Sequence, residues 1–219
     1  GNPDENPADP EAGAFANKVL EDNPAPSQYM NTSYTAYEEG FTGIQVLARA
    51  TELLQDRTTC LFTLGGFGGN ITVGFDHTIP NVPGEYDFKI YGNAYYDMYG
   101  TLLDKPGGNS EPGIVLVSKD TNGNGLPDDE WYELAGSEYN SPATIRNYEI
   151  TYYRPTPADG DVKWKDNQGK EGYIYRNTYH TQGSYYPAWM PAEITFRGSR
   201  LADNSINEPR PGMPEHWVG

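Results

Sequence analysis

Glycine and proline interrupt this chain so often that long regular elements cannot be its building unit: 25 Gly and 18 Pro stand among 219 residues. Glycine weakens a helix interior and proline breaks one, so the stretches between them must be short. Turn formers cluster at residues 64–70 (LGGFGGN), 80–84 (PNVPG), 105–109 (KPGGN) and 166–169 (DNQG). Many short strands joined by such turns predict an all-β fold of two packed sheets, because an α/β fold needs helices between its strands.

The hydrophobic pattern fills in the elements. Ile44, Val46, Leu47, Ala50, Leu53 and Leu54 fall close to the spacing of one helical face, which predicts a single short helix over 43–54. Beyond it the period becomes two. Ile71, Val73 and Phe75 alternate with polar residues or glycine, and so do Tyr86, Phe88 and Ile90, then Tyr148, Ile150 and Tyr152. Residues 114–117 are apolar on both faces, as in a central strand. Ile194 and Phe196 mark a strand near the end, and residues 204–219, with Pro209, Pro211 and Gly212, read as irregular. Residues 18–219 are expected to form one β-sandwich domain, with 1–17 as a tether of Pro, Asp, Glu, Asn and Ala that lacks periodicity.

Charge narrows the partners. The formal net charge is -16, with a sequence pI near 4.4, so the molecule repels phosphate backbones and anionic membrane surfaces. Nucleic acid is excluded as a natural partner. Mean hydropathy is -0.74, and no apolar run is long enough to cross a bilayer, so any membrane association is expected through a lipid anchor alone. Cys60, the one cysteine, lies in the apolar run 59–64 and reads as a small buried hydrophobe.

The sharpest motif is DTNGNGLPDDE at residues 120–130. Side-chain oxygens at its first, third and fifth positions, glycine at the sixth and acids beyond match the first half of a calcium loop, in which alternate side chains converge on one hard cation. Asp120, Asn122, Asn124 and the carbonyl of Leu126 are candidate ligands, with Asp128, Asp129 or Glu130 closing the shell. Trp131 stands where an EF-hand has its bidentate glutamate, and the flanks read as strands, so a structural calcium pinning a hairpin is expected. An Asx-rich turn without metal is the alternative.

Catalytic constellations are thin. His77, His180 and His216 are scattered, the glycine run 65–69 lacks the Lys-Ser/Thr ending of a phosphate loop, and no carboxylate pair stands out, so the chain is expected not to be an enzyme. A recognition surface is easier to argue. Residues 172–190 interleave rings with amides and imidazole, and residues 91–99 form a second ring cluster. Tyr95, Tyr96, Tyr179, His180, Tyr185, Tyr186 and Trp189 are the candidate ligand contacts, against the plainer alternative that they pack over the sandwich ends.

Residues 65–77 (GGFGGNITVGFDH), 86–94 (YDFKIYGNA), 110–118 (SEPGIVLVS) and 131–137 (WYELAGS), the last two bracketing the calcium motif, resemble a family of Bacteroidetes cell-surface lipoproteins. The resemblance covers about residues 18–198. It implies a jelly-roll sandwich, a place on the outer membrane through a lipid anchor, and cobalamin as the ligand, since some members bind it and are encoded with outer-membrane cobalamin uptake systems. Residues 2–16 likewise resemble the spacer after the lipidated cysteine of such proteins. The function expected is capture of cobalamin for an outer-membrane transporter; a calcium-dependent glycan-binding module is the first alternative and a glycan-active enzyme the second.

Overall fold

A computed structural model describes residues 13–55, 60–96, 108–109, 111–202, 206–207 and 217–218. Among the described residues it is mostly β, with one α-helix and small antiparallel sheets. The chain divides into two compact units: residues 1–88, 118–130 and 146–200 form the first, and 89–117, 131–145 and 201–219 the second.

The first unit begins with β1 (Lys18–Asn23), followed by a 3-10 turn (Ser33–Thr35) and helix α1 (Gly43–Leu54). β2 (Asn70–Gly74) pairs antiparallel with β1 across a bulge between Val19 and Glu21. Helix α1 starts where Gln45 returns its Oε1 to the Thr42 N–H at 2.9 Å, satisfying a donor that the first turn leaves over. Its stripe buries Val46 and Ala50 with Val19 and Ala36, and Phe41, Leu47, Ile71 and Trp189 close around them. Ile44, although it fits the apolar periodicity, points away and is exposed. Thr51 Oγ1 accepts the Val19 N–H at 3.0 Å and so ties helix to strand.

The larger sheet of this unit runs β10-β7-β8-β9, from β7 (Ile145–Tyr153), β8 (Val162–Asp166), β9 (Glu171–Ile174) and β10 (Glu193–Arg200). β8 joins β7 with Tyr152 opposite Trp164, and β9 joins β8 with Trp164 opposite Gly172. The turn expected at 166–169 connects β8 to β9, with Asp166 Oδ1 accepting the N–H groups of Gln168 and Lys170. Tyr148, Ile150, Tyr152, Val162, Ile194 and Phe196 make its buried face.

The glycine run 65–69 packs on that face. Tyr152 donates its hydroxyl to Phe67 O at 3.0 Å, and the Phe67 and Tyr148 rings meet edge to face at 4.8 Å. A Cβ on Gly68, whose φ is +91°, would lie 2.1 Å from the Phe196 Cβ. These glycines are there because backbone, not side chain, must touch the sheet.

In the second unit β3 (Tyr95–Tyr96) pairs antiparallel with β4 (Gly108–Asn109), and β11 (Ile206–Asn207) with β12 (Trp217–Val218). The latter pair lies in the tail read as irregular. β5 (Leu116–Ser118) and β6 (Trp131–Glu133) form a further two-stranded sheet, extended by the Leu134 N–H to Val115 O at 2.9 Å.

One expected strand is missing. Residues 86–90 alternate as a half-buried strand should, yet they carry no ladder, and Tyr86 and Ile90 stand in solvent. Alternation marks a strand only when a neighbouring backbone is there to pair with, and among the described residues none meets this segment. Conversely β1, β8 and β9 escaped the pattern. In β8 the sequence VKWKD alternates, but a strand of five residues with three charged ones gives a weak signal.

Candidate functional site

The DTNGNGLPDDE segment is an exposed loop with β5 before it and β6 after it, so strands flank it as the sequence predicts. Asp120 is its hub: Oδ1 accepts the Gly123 N–H at 2.7 Å and the Asn124 N–H at 3.2 Å, and Oδ2 accepts the Gly125 N–H at 2.8 Å. Gly123 and Gly125 take φ of +70° and +73°, a conformation that side-chain-bearing residues rarely adopt. Asn122 Oδ1 accepts the Asn124 N–H at 2.9 Å, and Asn124 Oδ1 accepts the Leu126 N–H at 2.8 Å, two successive Asx turns.

Opposite them, Asp128 receives the Asn122 amide at 3.3 Å and the Asn124 amide at 2.9 Å. These bonds, that from Asn124 first, hold the Asp128 carboxyl below its ordinary range, so it is ionised at neutral pH. Asp129 is engaged elsewhere, accepting the Thr121 N–H and the Thr121 hydroxyl. Asp128 thus faces Asn122 and Asn124, whereas Asp129 faces Thr121.

Among the described residues no three His, Cys, Asp or Glu side chains gather as a metal site. The loop's donor set is of another kind: two carboxylates, two carboxamides and the Leu126 carbonyl, an all-oxygen mixture that suits calcium. Each of the side-chain oxygens already accepts a hydrogen bond, those of Asp120, Asn122 and Asn124 from backbone N–H groups and those of Asp128 from the two Asn amides, so a cation competes with these hydrogens at every side-chain donor.

The ring-rich stretch separates into two populations. Tyr185 and Tyr186 are 1 % and 0 % exposed. Tyr185 donates to His180 O at 2.7 Å and accepts the Asn177 N–H at 2.9 Å; Tyr186 donates to Pro191 O. Burial pushes the Tyr186 hydroxyl up to about 12, so it stays a donor at neutral pH. Trp189 stacks on Tyr37 at 5.4 Å within the helix-side core. Tyr185 and Tyr186 therefore pack in the interior with their hydroxyls on backbone, and Trp189 is partly buried against the helix-side core.

Tyr179 and His180 lie on the other side of that division. Tyr179 is 89 % exposed. His180 Nε2 meets the Tyr29 hydroxyl at 3.1 Å, with ring centroids 4.5 Å apart, and Tyr29 meets Tyr34 edge to face at 5.7 Å. Tyr29 and Tyr34, which sequence reasoning missed, thus extend the imidazole into an open surface; both are more than a third exposed.

The backbone under this surface is strained. Tyr29, Asn31 and Ala36 hold φ of 62°, 57° and 56°, each at a cost of about 1–3 kcal/mol for a residue with a side chain. Asn31 holds the segment in place: its Nδ2 donates to Tyr186 O at 2.8 Å, and its Oδ1 accepts the Ala188 N–H at 2.7 Å. Gln182, its amide oriented by its hydrogen bonds, accepts the Tyr29 N–H at 2.7 Å and reaches His180 O at 3.2 Å. Arg176 lies over the Tyr185 ring and donates to Gln182 O and Gly183 O.

The side chains of Tyr95 and Tyr96, and residues 97–99 of the second cluster, lie outside the described residues, as does His216. His77 is bonded to Asp76 at 2.6 Å, and Cys60 is half-buried. No protein-family model matches the sequence, and no curated protein matches it.

Proposed function

We propose that this chain is the ligand-binding domain of a cell-surface lipoprotein, a jelly-roll-like sandwich that captures cobalamin for an outer-membrane transporter and does no catalysis. The observation that carries the proposal is the exposed surface of Tyr29, Tyr34, Tyr179 and His180, fixed on backbone that Asn31 and Gln182 pin. Rings with polar edges cover a broad amphipathic disc and bond its amide arms, and prior fixing lowers the ordering cost of binding. The resemblance supplies the name of the guest; the physics supplies its shape and polarity. Calcium in the 120–130 loop, held by Asp120, Asn122, Asn124, Leu126 O and Asp128, has a structural role there.

Calorimetric titration with cyanocobalamin tests the proposal. Saturable heat that Tyr179→Ala weakens is expected, and no heat at high micromolar protein removes cobalamin as the ligand. A glycan-binding module is the second reading, favoured by Tyr173 and Tyr175, exposed on β9 and just beyond it with ring centroids 6.0 Å apart. Binding on a glycan array that Tyr175→Ala abolishes would support it.

A further inference from the structure

Strand β10 is an edge of the four-stranded sheet, and among the described residues only β7 pairs with it. The two run antiparallel: Arg154 donates its N–H to Ala192 O at 2.8 Å, Thr151 and Thr195 join hydroxyls at 2.8 Å, and Glu149 meets Arg197 at 2.6 Å. In an antiparallel ladder alternate residues direct both backbone groups to the same neighbour. Ala192 and the even positions after it therefore face β7, while Glu193, Thr195 and Arg197 direct their N–H and C=O groups outward. A cavity of about 500 Å³ is lined by all five residues 193–197, together with Asn23 and Asn70. Side chains of consecutive strand residues alternate between faces, so a space that touches all five runs along the strand's edge.

That edge reads Glu193-Ile194-Thr195-Phe196-Arg197, and it is complementary to itself. A two-fold axis through Thr195 sets Thr195 opposite its copy in a pair that exchanges both backbone hydrogen bonds, the kind of pair its outward groups require. The same axis puts Glu193 opposite Arg197 of the second copy and Ile194 opposite Phe196. Arg197 meets Glu149 through its Nε, and a guanidinium with five N–H donors on a side chain 77 % exposed can serve a second carboxylate.

We propose that β10 pairs antiparallel with β10 of a second copy of this chain, joining two four-stranded sheets into one of eight. An open edge is a template for such pairing, and a two-fold interface uses the same patch twice. The short interface makes the dimer weak, and each copy carries a charge of -16, so it forms at physiological ionic strength, where that repulsion fades beyond a Debye length of about 8 Å.

Sedimentation of the chain over a range of concentrations tests this. Wild type is expected to show a reversible monomer–dimer equilibrium. Glu193→Arg and Arg197→Glu, each of which sets like charges opposite one another, should weaken association about tenfold or more. The double variant Glu193→Arg with Arg197→Glu should restore it. Melting temperatures identify any variant that fails to fold, and Glu193→Arg leaves the Arg197–Glu149 pair intact should Arg197→Glu fail. A monomer at every concentration overturns the proposal, as does a dimer indifferent to the single reversals or a double variant that stays monomeric.

Discussion

Two parts of one ring-rich stretch, residues 172–190, meet opposite fates. Tyr185 and Tyr186 are fully buried and their hydroxyls are bonded to main chain, whereas Tyr179 stands in water and His180 is half-buried against Tyr29. Composition does not separate them; anchorage does. Arg176 and Arg154 lie over the buried rings, and Asn31 ties the backbone around Tyr186 to the 29–36 segment. The buried pair thus builds the floor on which Tyr29, Tyr34, Tyr179 and His180 are displayed.

The largest effect that separates the two populations is expected from Tyr186→Ala, which empties a packed site and leaves Pro191 O without its donor. It should lose about 3–5 kcal/mol in chemical denaturation. A cost below about 1 kcal/mol would mean that the ring is not part of the core.

A buried polar atom on β1 makes the next contrast. The Oδ2 of Asp22 is buried and unbonded, and desolvation raises this carboxyl from 3.8 to about 6. The folded form therefore holds its proton more tightly than the unfolded one. Stability from this residue is greatest below pH 4, falls as pH rises toward 6, and stays low above it. Asp22→Asn should stabilise the protein by about 1–3 kcal/mol at pH 7 and by little near pH 4. Equal effects at both pH values would contradict the burial argument.

Asn31 joins floor to surface, and its loss should act on both. Asn31→Ala leaves the carbonyl of Tyr186 and the N–H of Ala188 unsatisfied and is expected to cost about 1–3 kcal/mol. It should also weaken ligand binding, although Asn31 is placed beneath the rings and not on them. Unchanged binding in a stable Asn31→Ala protein would separate the surface from its supposed support.

Calcium should raise the melting temperature by a few degrees, and Asp120→Ala or Asp128→Ala should remove that response, because a ligand held only by the folded state stabilises it. The same melt in chelator and in calcium would leave the loop an Asx turn. The smallest effect belongs to Tyr179→Ala, whose ring meets mostly water; its stability should stay within about 0.5 kcal/mol of wild type.

The helix was legible because Val46, Leu47, Ala50, Leu53 and Leu54 share one face, and the glycine-punctuated strands followed from period-two runs such as Tyr148, Ile150 and Tyr152. The loop at 120–130 between two strands was equally plain, since alternate oxygens and a glycine at fixed offsets are a local pattern. The strand at 86–90 misled because alternation says nothing about whether a partner strand arrives. Burial of Tyr185, Tyr186 and Trp189 involves Arg176, Asn31 and Tyr37, and the contact of His180 with Tyr29 spans 151 residues of chain. No spacing within the stretch carries that information. The only local sign was Asn31 itself, a residue type that tolerates the left-handed region.

The central claim, that exposed rings on a rigid floor hold the ligand, is tested most directly by titrating cyanocobalamin into the wild type and into the double variant Tyr34→Ala with Tyr179→Ala. The account predicts that affinity falls by about tenfold or more while the melting temperature stays where it was, since each lost ring contact is worth about 0.5–1.5 kcal/mol. Affinity equal to that of the wild type in a folded double variant would contradict it.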